Sequence, residues 1–180
     1  SRHADFMARE NRAHGHVPRD GEWVAAFQRE PDAQSPAGGV SSSANDMAEW
    51  MLMMLGDGVW RGDRIVDGNA LLAAVSPHSV PRPPATMDSR AGFYGYGFGV
   101  GVEPSGRVSL SHSGAFALGA ATRFILLPSA KLGIVILSNA APIGAVEAIG
   151  ASFMDMVQFG RVSRDWSAGF NAIFAPFLDP

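Results

Sequence analysis

Ser111-His112-Ser113-Gly114-Ala115-Phe116, and after it the apolar runs Phe124-Ile125-Leu126-Leu127 and Ile134-Val135-Ile136-Leu137, decide the fold of this chain. The two runs are continuous rather than alternating, and continuous apolar strands are strands buried on both faces. The first stretch carries polar side chains into small residues before the chain turns into the next strand. Small residues leave backbone N–H groups approachable, and such donors stabilise negative charge that develops on a substrate carbonyl. A strand end with a satisfied histidine and a turn glycine accounts for the same residues equally simply.

Working outward, Tyr94-Gly95-Tyr96-Gly97-Phe98-Gly99-Val100-Gly101-Val102 alternates large and absent side chains at period two. This predicts a strand against which something packs closely. With Val108 to His112, Ala120 to Leu127 and Gly133 to Ser138, it predicts about three or four antiparallel strands over residues 93–140. Pro128 to Lys131 reads as a turn. A helix over residues 142–160 places Ile143, Val146, Ile149, Phe153 and Val157 on one side, suited to covering one face of the sheet, and Glu147, Asp155 and Gln158 elsewhere.

Residues 35–80 read as a helical and loop region. Ser35 to Val40 is a loop. Ser43 with Asp46 three residues on resembles a capping box and starts a helix whose apolar positions are Met47, Trp50, Met51, Met54 and Leu55, with Gly56 and Gly58 as the stop. A shorter helix covers Asn69 to Val75, introduced by Asp67. Ser76 to Arg90, with four prolines, reads as loop. Pro18-Arg19-Asp20-Gly21 reads as the turn of a hairpin between His16-Val17 and Trp23-Val24. Trp166, Phe170, Phe174 and Phe177 are expected to dock the C-terminal stretch onto the body. The fold class is therefore α+β, an antiparallel sheet flanked by helices.

Composition narrows the function. The 180 residues carry 14 Lys plus Arg against 17 Asp plus Glu, a net charge of −3, with no cysteine. Disulfide scaffolds and thiolate metal sites are excluded. Scattered basic residues lack the footprint of a nucleic-acid binder and disfavour a membrane-surface role. No apolar run reaches the length of a membrane span. No signal-peptide pattern is visible, and either a periplasmic or a cytoplasmic location fits these residues. A chain of this length hides roughly 70% of its unfolded surface, enough for one core. Of the basic residues only Lys131 is lysine, so a catalytic lysine would have to be that one. His14-Gly15-His16 lacks a third metal ligand and reads as solvated loop histidines; His3 and His78 carry no signal. The Met-rich helix reads as core.

The order and spacing of Pro36-Ala37-Gly38-Gly39-Val40-Ser41-Ser42, the helix after it, Tyr94-Gly95-Tyr96-Gly97-Phe98, and His112-Ser113-Gly114 with the run to Ala140 resemble the C-terminal part of serine β-lactamase and penicillin-binding-protein-like hydrolases. The branch resembled holds class C enzymes, D,D-peptidases and esterases. The resemblance implies a β-lactamase/transpeptidase-like fold and an acyl-enzyme mechanism with three motifs: Ser-x-x-Lys, Tyr-x-Asn or Ser-x-Asn, and Lys-Thr-Gly or His-x-Gly. The third is present, as His112-Ser113-Gly114. Pro128 stands three residues before Lys131, and neither Tyr94 nor Tyr96 has Asn two residues on.

The resemblance therefore implies the C-terminal portion of a hydrolase whose N-terminal half, with the nucleophile, is missing from these residues, and which is inactive alone. It assigns His112 to the position facing the base and the substrate, points Ser113 toward substrate, has Gly114 keep the strand bare, and makes the Ala115 N–H an oxyanion donor. Phe116 is carried over as a substrate contact. The implied substrate is a small acyl ester, a β-lactam or a D-Ala-type peptide, with no cofactor and no metal. Histidine in place of lysine leans toward peptidase or esterase, because imidazole is mostly neutral at pH 7. The strands also call for cover from the missing half or from self-association, with an exposed apolar surface in the chain alone. The alternative is a non-catalytic ligand- or partner-binding module on a degenerate hydrolase fold.

Overall fold

The structure is a computed structural model and describes residues 2–28 and 30–177; residues 178–180 and the Phe177 side chain lie outside the described residues. The architecture is α+β. In chain order the elements are α1 (His3–Met7), β1 (Gly15–Arg19), β2 (Glu22–Phe27), α2 (Ser35–Gly38), α3 (Ala44–Leu55), β3 (Val59–Trp60), β4 (Asp63–Arg64), α4 (Gly68–Val75), β5 (Ser79–Arg82), β6 (Gly92–Tyr94), β7 (Gly99–Val102), β8 (Val108–Phe116), β9 (Ala120–Leu127), β10 (Leu132–Ser138), α5 (Ala145–Phe159) and α6 (Trp166–Phe174). Six strands form one sheet in the order β10-β9-β8-β7-β6-β5, and each pairing from β5 to β8 is antiparallel.

Four sequence expectations change here. The supposed single strand from Phe93 is a hairpin, with Phe93 opposite Val100 and Tyr94 opposite Gly99. Gly97 turns the chain at φ 83°, a conformation that L side chains rarely adopt. The prolines after Ser76 do not keep the whole segment a loop, because β5 is the outermost strand and Pro81 sits where a missing N–H is tolerated. Of the two apolar runs, only the one in β9 is buried throughout its second half; β10 lies at the other edge and leaves Leu137 exposed. The expected loop at residues 35–40 also holds the single helical turn of α2.

The chain divides into two compact units whose limits fall at the start of α3 and within β8, β9 and β10. The unit of Asn45–His112 and Phe124–Val135 has a core of Met51, Leu55, Leu110 and Leu126, against which Trp50, Phe98 and Phe124 pack. Its helices are punctuated by local chemistry. The Asp67 carboxylate accepts from the N–H groups of Asn69 and Ala70 at the start of α4, at 2.9 and 3.3 Å. At the end of α3 the Gly58 N–H reaches the Met53 carbonyl and the Asp57 N–H reaches that of Met54, a Schellman closure with Asp57 in the left-handed conformation at φ 55°.

The unit of Ser1–Ala44, Ser113–Arg123 and Ile136–Pro180 contains the β1–β2 hairpin, α5 and α6. The hairpin turn is Asp20-Gly21, both at positive φ, the signature of a tight two-residue turn. His16 pairs by backbone with the segment after β10: its N–H donates to Asn139 and its carbonyl accepts from Ala141, each at 2.7 Å. The buried side of α5 is not the one the apolar count selects. Ile149 is 50% exposed, whereas Val146, Glu147, Gly150, Met154 and Asp155 are buried. Burial of Asp155 on that side is possible because hydrogen bonds replace the water it loses.

Asp155 shows this directly. Its Oδ2 accepts from the Ser163 N–H at 2.8 Å, the Ser163 hydroxyl at 2.6 Å and the Trp166 indole at 2.7 Å, tying α6 to α5. Burial pushes the carboxyl upward, but these donors together with Arg164 outweigh it and hold the group below the usual aspartate value. A depressed pKa stabilises the fold above the unfolded value of about 3.9 and ceases to do so as pH falls through the native one. The melting temperature should therefore drop between about pH 5 and pH 2 by more in the native protein than in Asp155→Asn. Parallel pH profiles from thermal melts would refute the assignment.

Candidate active site

β8 is longer than the sequence predicts and runs through the motif to Phe116, so His112-Ser113-Gly114 lies within a strand and not at its end. Its pairing with β7 stops at Gly99 opposite Ser111. From His112 onward the strand extends past its β7 partner.

His112 is exposed, and its Nδ1 stands 3.1 Å from the Tyr94 hydroxyl. The imidazole lies parallel to the Phe124 ring, 6.3 Å between centroids and 20° between planes. Phe124 meets Trp50 edge-on at 5.0 Å and Phe98 edge-on at 6.0 Å. A continuous set of aromatic contacts therefore fixes the exposed histidine to the core of its own unit. Edge-to-face and offset contacts of this kind add about 0.5–1.5 kcal/mol each beyond buried area.

The Ser113 hydroxyl donates to Glu147 Oε1 of α5 at 2.8 Å. Glu147 is 6% exposed, and its Oε2 is buried without a hydrogen-bond partner among the described residues. A side chain at Gly114 would displace Thr122, because a Cβ would come within 2.7 Å of the Thr122 hydroxyl oxygen. Ala115 is exposed and Phe116 half-buried.

The sequence reading found the strand and missed two of its partners. Read from sequence, Tyr94 belongs to the glycine-alternating stretch with no role at His112, and Glu147 lies off the apolar side of its helix. Strand register and helix docking bring them to His112 and Ser113, and no local motif marks either. Lys131, the one lysine, sits at φ 50° and donates its ammonium to the Leu55 carbonyl at 2.6 Å, capping the end of α3. His16 Nδ1 faces the Asn139 side-chain nitrogen at 3.2 Å and its carbonyl oxygen at 3.4 Å. Among the described residues no group of three or more His, Cys, Asp or Glu is placed to hold a metal ion, and no helix is long and apolar enough to cross a membrane.

Comparison with known proteins gives these geometries a family. No curated protein matches the chain. Among solved structures, the chain is similar to the octameric penicillin-binding protein homologue from Pyrococcus abyssi, with a TM-score of 0.66 and 19% identity over 91% of this chain. The match spans 34% of that protein's chain, so these residues correspond to about a third of its length. At this identity the likeness is one of fold, and it is the β-lactamase/transpeptidase-like fold that the motif order implies. The sequence profile of the Beta-lactamase family matches residues 3–154, most of the chain, and the chain belongs to that family.

Proposed function

We propose that this chain is the part of a serine acyl hydrolase, of the D,D-peptidase, esterase or β-lactamase kind, that presents His112 and an oxyanion donor to a substrate acylated by a serine lying outside these 180 residues. The observation that carries the reading is the exposed imidazole of His112 held by Tyr94 on a strand that outruns its neighbour. With Nδ1 engaged by the phenol, Nε2 is the ring atom left to face substrate and to pass a proton to or from a reacting oxygen. The Ala115 N–H lies further along the same strand and serves as one oxyanion donor, and an extended acyl substrate adds along the edge. Phe116 contributes apolar contact to that substrate. Ser113 serves this arrangement as an anchor, through Glu147.

Histidine here lacks lysine's permanent positive charge, which favours an ester over a D-Ala-type peptide or a β-lactam, both of which carry a carboxylate. The absence of Ser-x-x-Lys from the sequence makes the 180 residues inactive by themselves. A fluorophosphonate or a penicillin should therefore label no residue of this chain, but should label a serine outside it once the chain is expressed with the coding sequence that adjoins it. Nitrophenyl ester hydrolysis should appear with the label. A joined protein that takes no label and hydrolyses no ester overturns the proposal.

That outcome would favour the second reading, a non-catalytic binding module. Two observations speak for it: the Ser113 hydroxyl is spent on Glu147 and the only lysine on Leu55. Under either reading, self-association is proposed too, because α5 leaves Ile149, Met156 and Phe159 in solvent and the Pyrococcus abyssi homologue is octameric. Sedimentation as a monomer at all concentrations would exclude it.

A further inference from the structure

A row of paired residues, Ser79, Tyr94, Gly99 and Ser111, crosses four neighbouring strands. Just past this row, at one end of the sheet, the chain places His78, the turn from Gly95 to Phe98, and His112. Tyr96 lies in that turn and is 68% exposed, yet it is firmly held. Its N–H donates to the Ala74 carbonyl at 2.8 Å, and the preceding Gly95 N–H donates to Phe98 at 2.8 Å. A Cβ at Gly95 would stand 2.2 Å from the Ala74 oxygen, so the turn is pressed onto the end of α4 and only glycine fits.

The Tyr96 ring lies on the His78 ring, 4.2 Å between centroids and 25° between planes. His78 is fixed at two points, by its N–H to the Tyr94 carbonyl at 2.9 Å and by Nε2 to the Ala73 carbonyl at 2.8 Å. One residue joins this stack to the candidate site: the Tyr94 carbonyl holds His78 and the Tyr94 phenol holds His112. Neither Tyr96 nor His78 belongs to the core. A solvent-exposed ring fixed in this way has already lost rotamer freedom, so a ligand that stacks on it loses less on binding.

We infer that Tyr96 and His78 form a stacking platform for a planar aromatic ring, the ring of an aryl ester's acyl or leaving group. The assignment of that ring to a substrate rests on the hydrolase reading; binding of the ring itself does not. The test is a titration of the 180-residue chain with 4-nitrophenol, followed by proton NMR of the probe and of the Tyr96 and His78 rings, with cyclohexanol as the non-planar counterpart. Nitrophenol should shift both rings, bind about fivefold more weakly to Tyr96→Ala, and recover in Tyr96→Phe. Equal affinity in Tyr96→Ala, or equal binding of cyclohexanol to the native chain, overturns the platform.

The two readings separate cleanly. If the joined protein takes no fluorophosphonate while nitrophenol still binds at Tyr96, the hydrolase reading fails and the platform stands. In an active joined protein, Tyr96→Ala should raise KM for a phenyl ester about fivefold and leave that for an ethyl ester unchanged; no change in either overturns the assignment of the stacked ring to a substrate.

Discussion

Replacing His112 by alanine is expected to lower nitrophenyl ester turnover by the joined protein by about 10²- to 10⁴-fold, the range a positioned proton-transfer group contributes. The imidazole is exposed, so its loss removes no core volume, and the melting temperature should stay within a degree or two of the native value. Tyr94→Phe should fall between the two, because it leaves the ring in place and removes only the hydroxyl that meets Nδ1 at 3.1 Å. Steady-state kinetics with melts of all three proteins decide the matter. Turnover by His112→Ala within a few-fold of native would remove His112 from the reaction and with it the reason to regard the strand as catalytic.

The largest effect on stability is expected at Leu126. It is 1% exposed and sits in the cluster with Met51, Leu55 and Leu110, where β9 meets α3. Gly133 packs against it, so closely that a Cβ there would be 2.7 Å from Leu126 Cδ2. Leu126→Ala should therefore cost about 3 kcal/mol, which lowers the melting temperature of a chain this size by about 6–12 °C. Leu52→Ala, on the solvent side of α3 at 60% exposure, is the control and should cost well under 1 kcal/mol. Similar losses for the two would show that the α3 and β9 contact is not the core of its unit.

Several features were legible residue by residue. Ser43 with Asp46, followed by apolar positions and a glycine stop, located α3, and Asp67 located α4, because caps and helical periodicity are local. The uninterrupted run at Phe124 to Leu127 gave a buried strand for the same reason. The errors share one physical origin. Alternating glycines look alike in a straight strand and in a hairpin, and only the left-handed backbone at Gly97 separates them. Prolines forbid a central strand but not an edge strand, and edge position is a property of the whole sheet.

The reaction-centre candidates divide in the same way. The sequence by itself determined the family, the α+β class, the strand bearing His112, the absence of a Ser-x-x-Lys nucleophile, and the fact that one lysine alone was available. Only the tertiary structure decided that this lysine caps α3, that Ser113 donates to a buried Glu147, that Tyr94 meets His112, and that His78, silent in the sequence, lies beneath Tyr96. Capping, periodicity and turn chemistry act over a few residues and leave their mark in order along the chain. The other contacts join residues from 18 to 76 positions apart, and they exist only once strand register and helix docking have fixed which distant side chains share a surface.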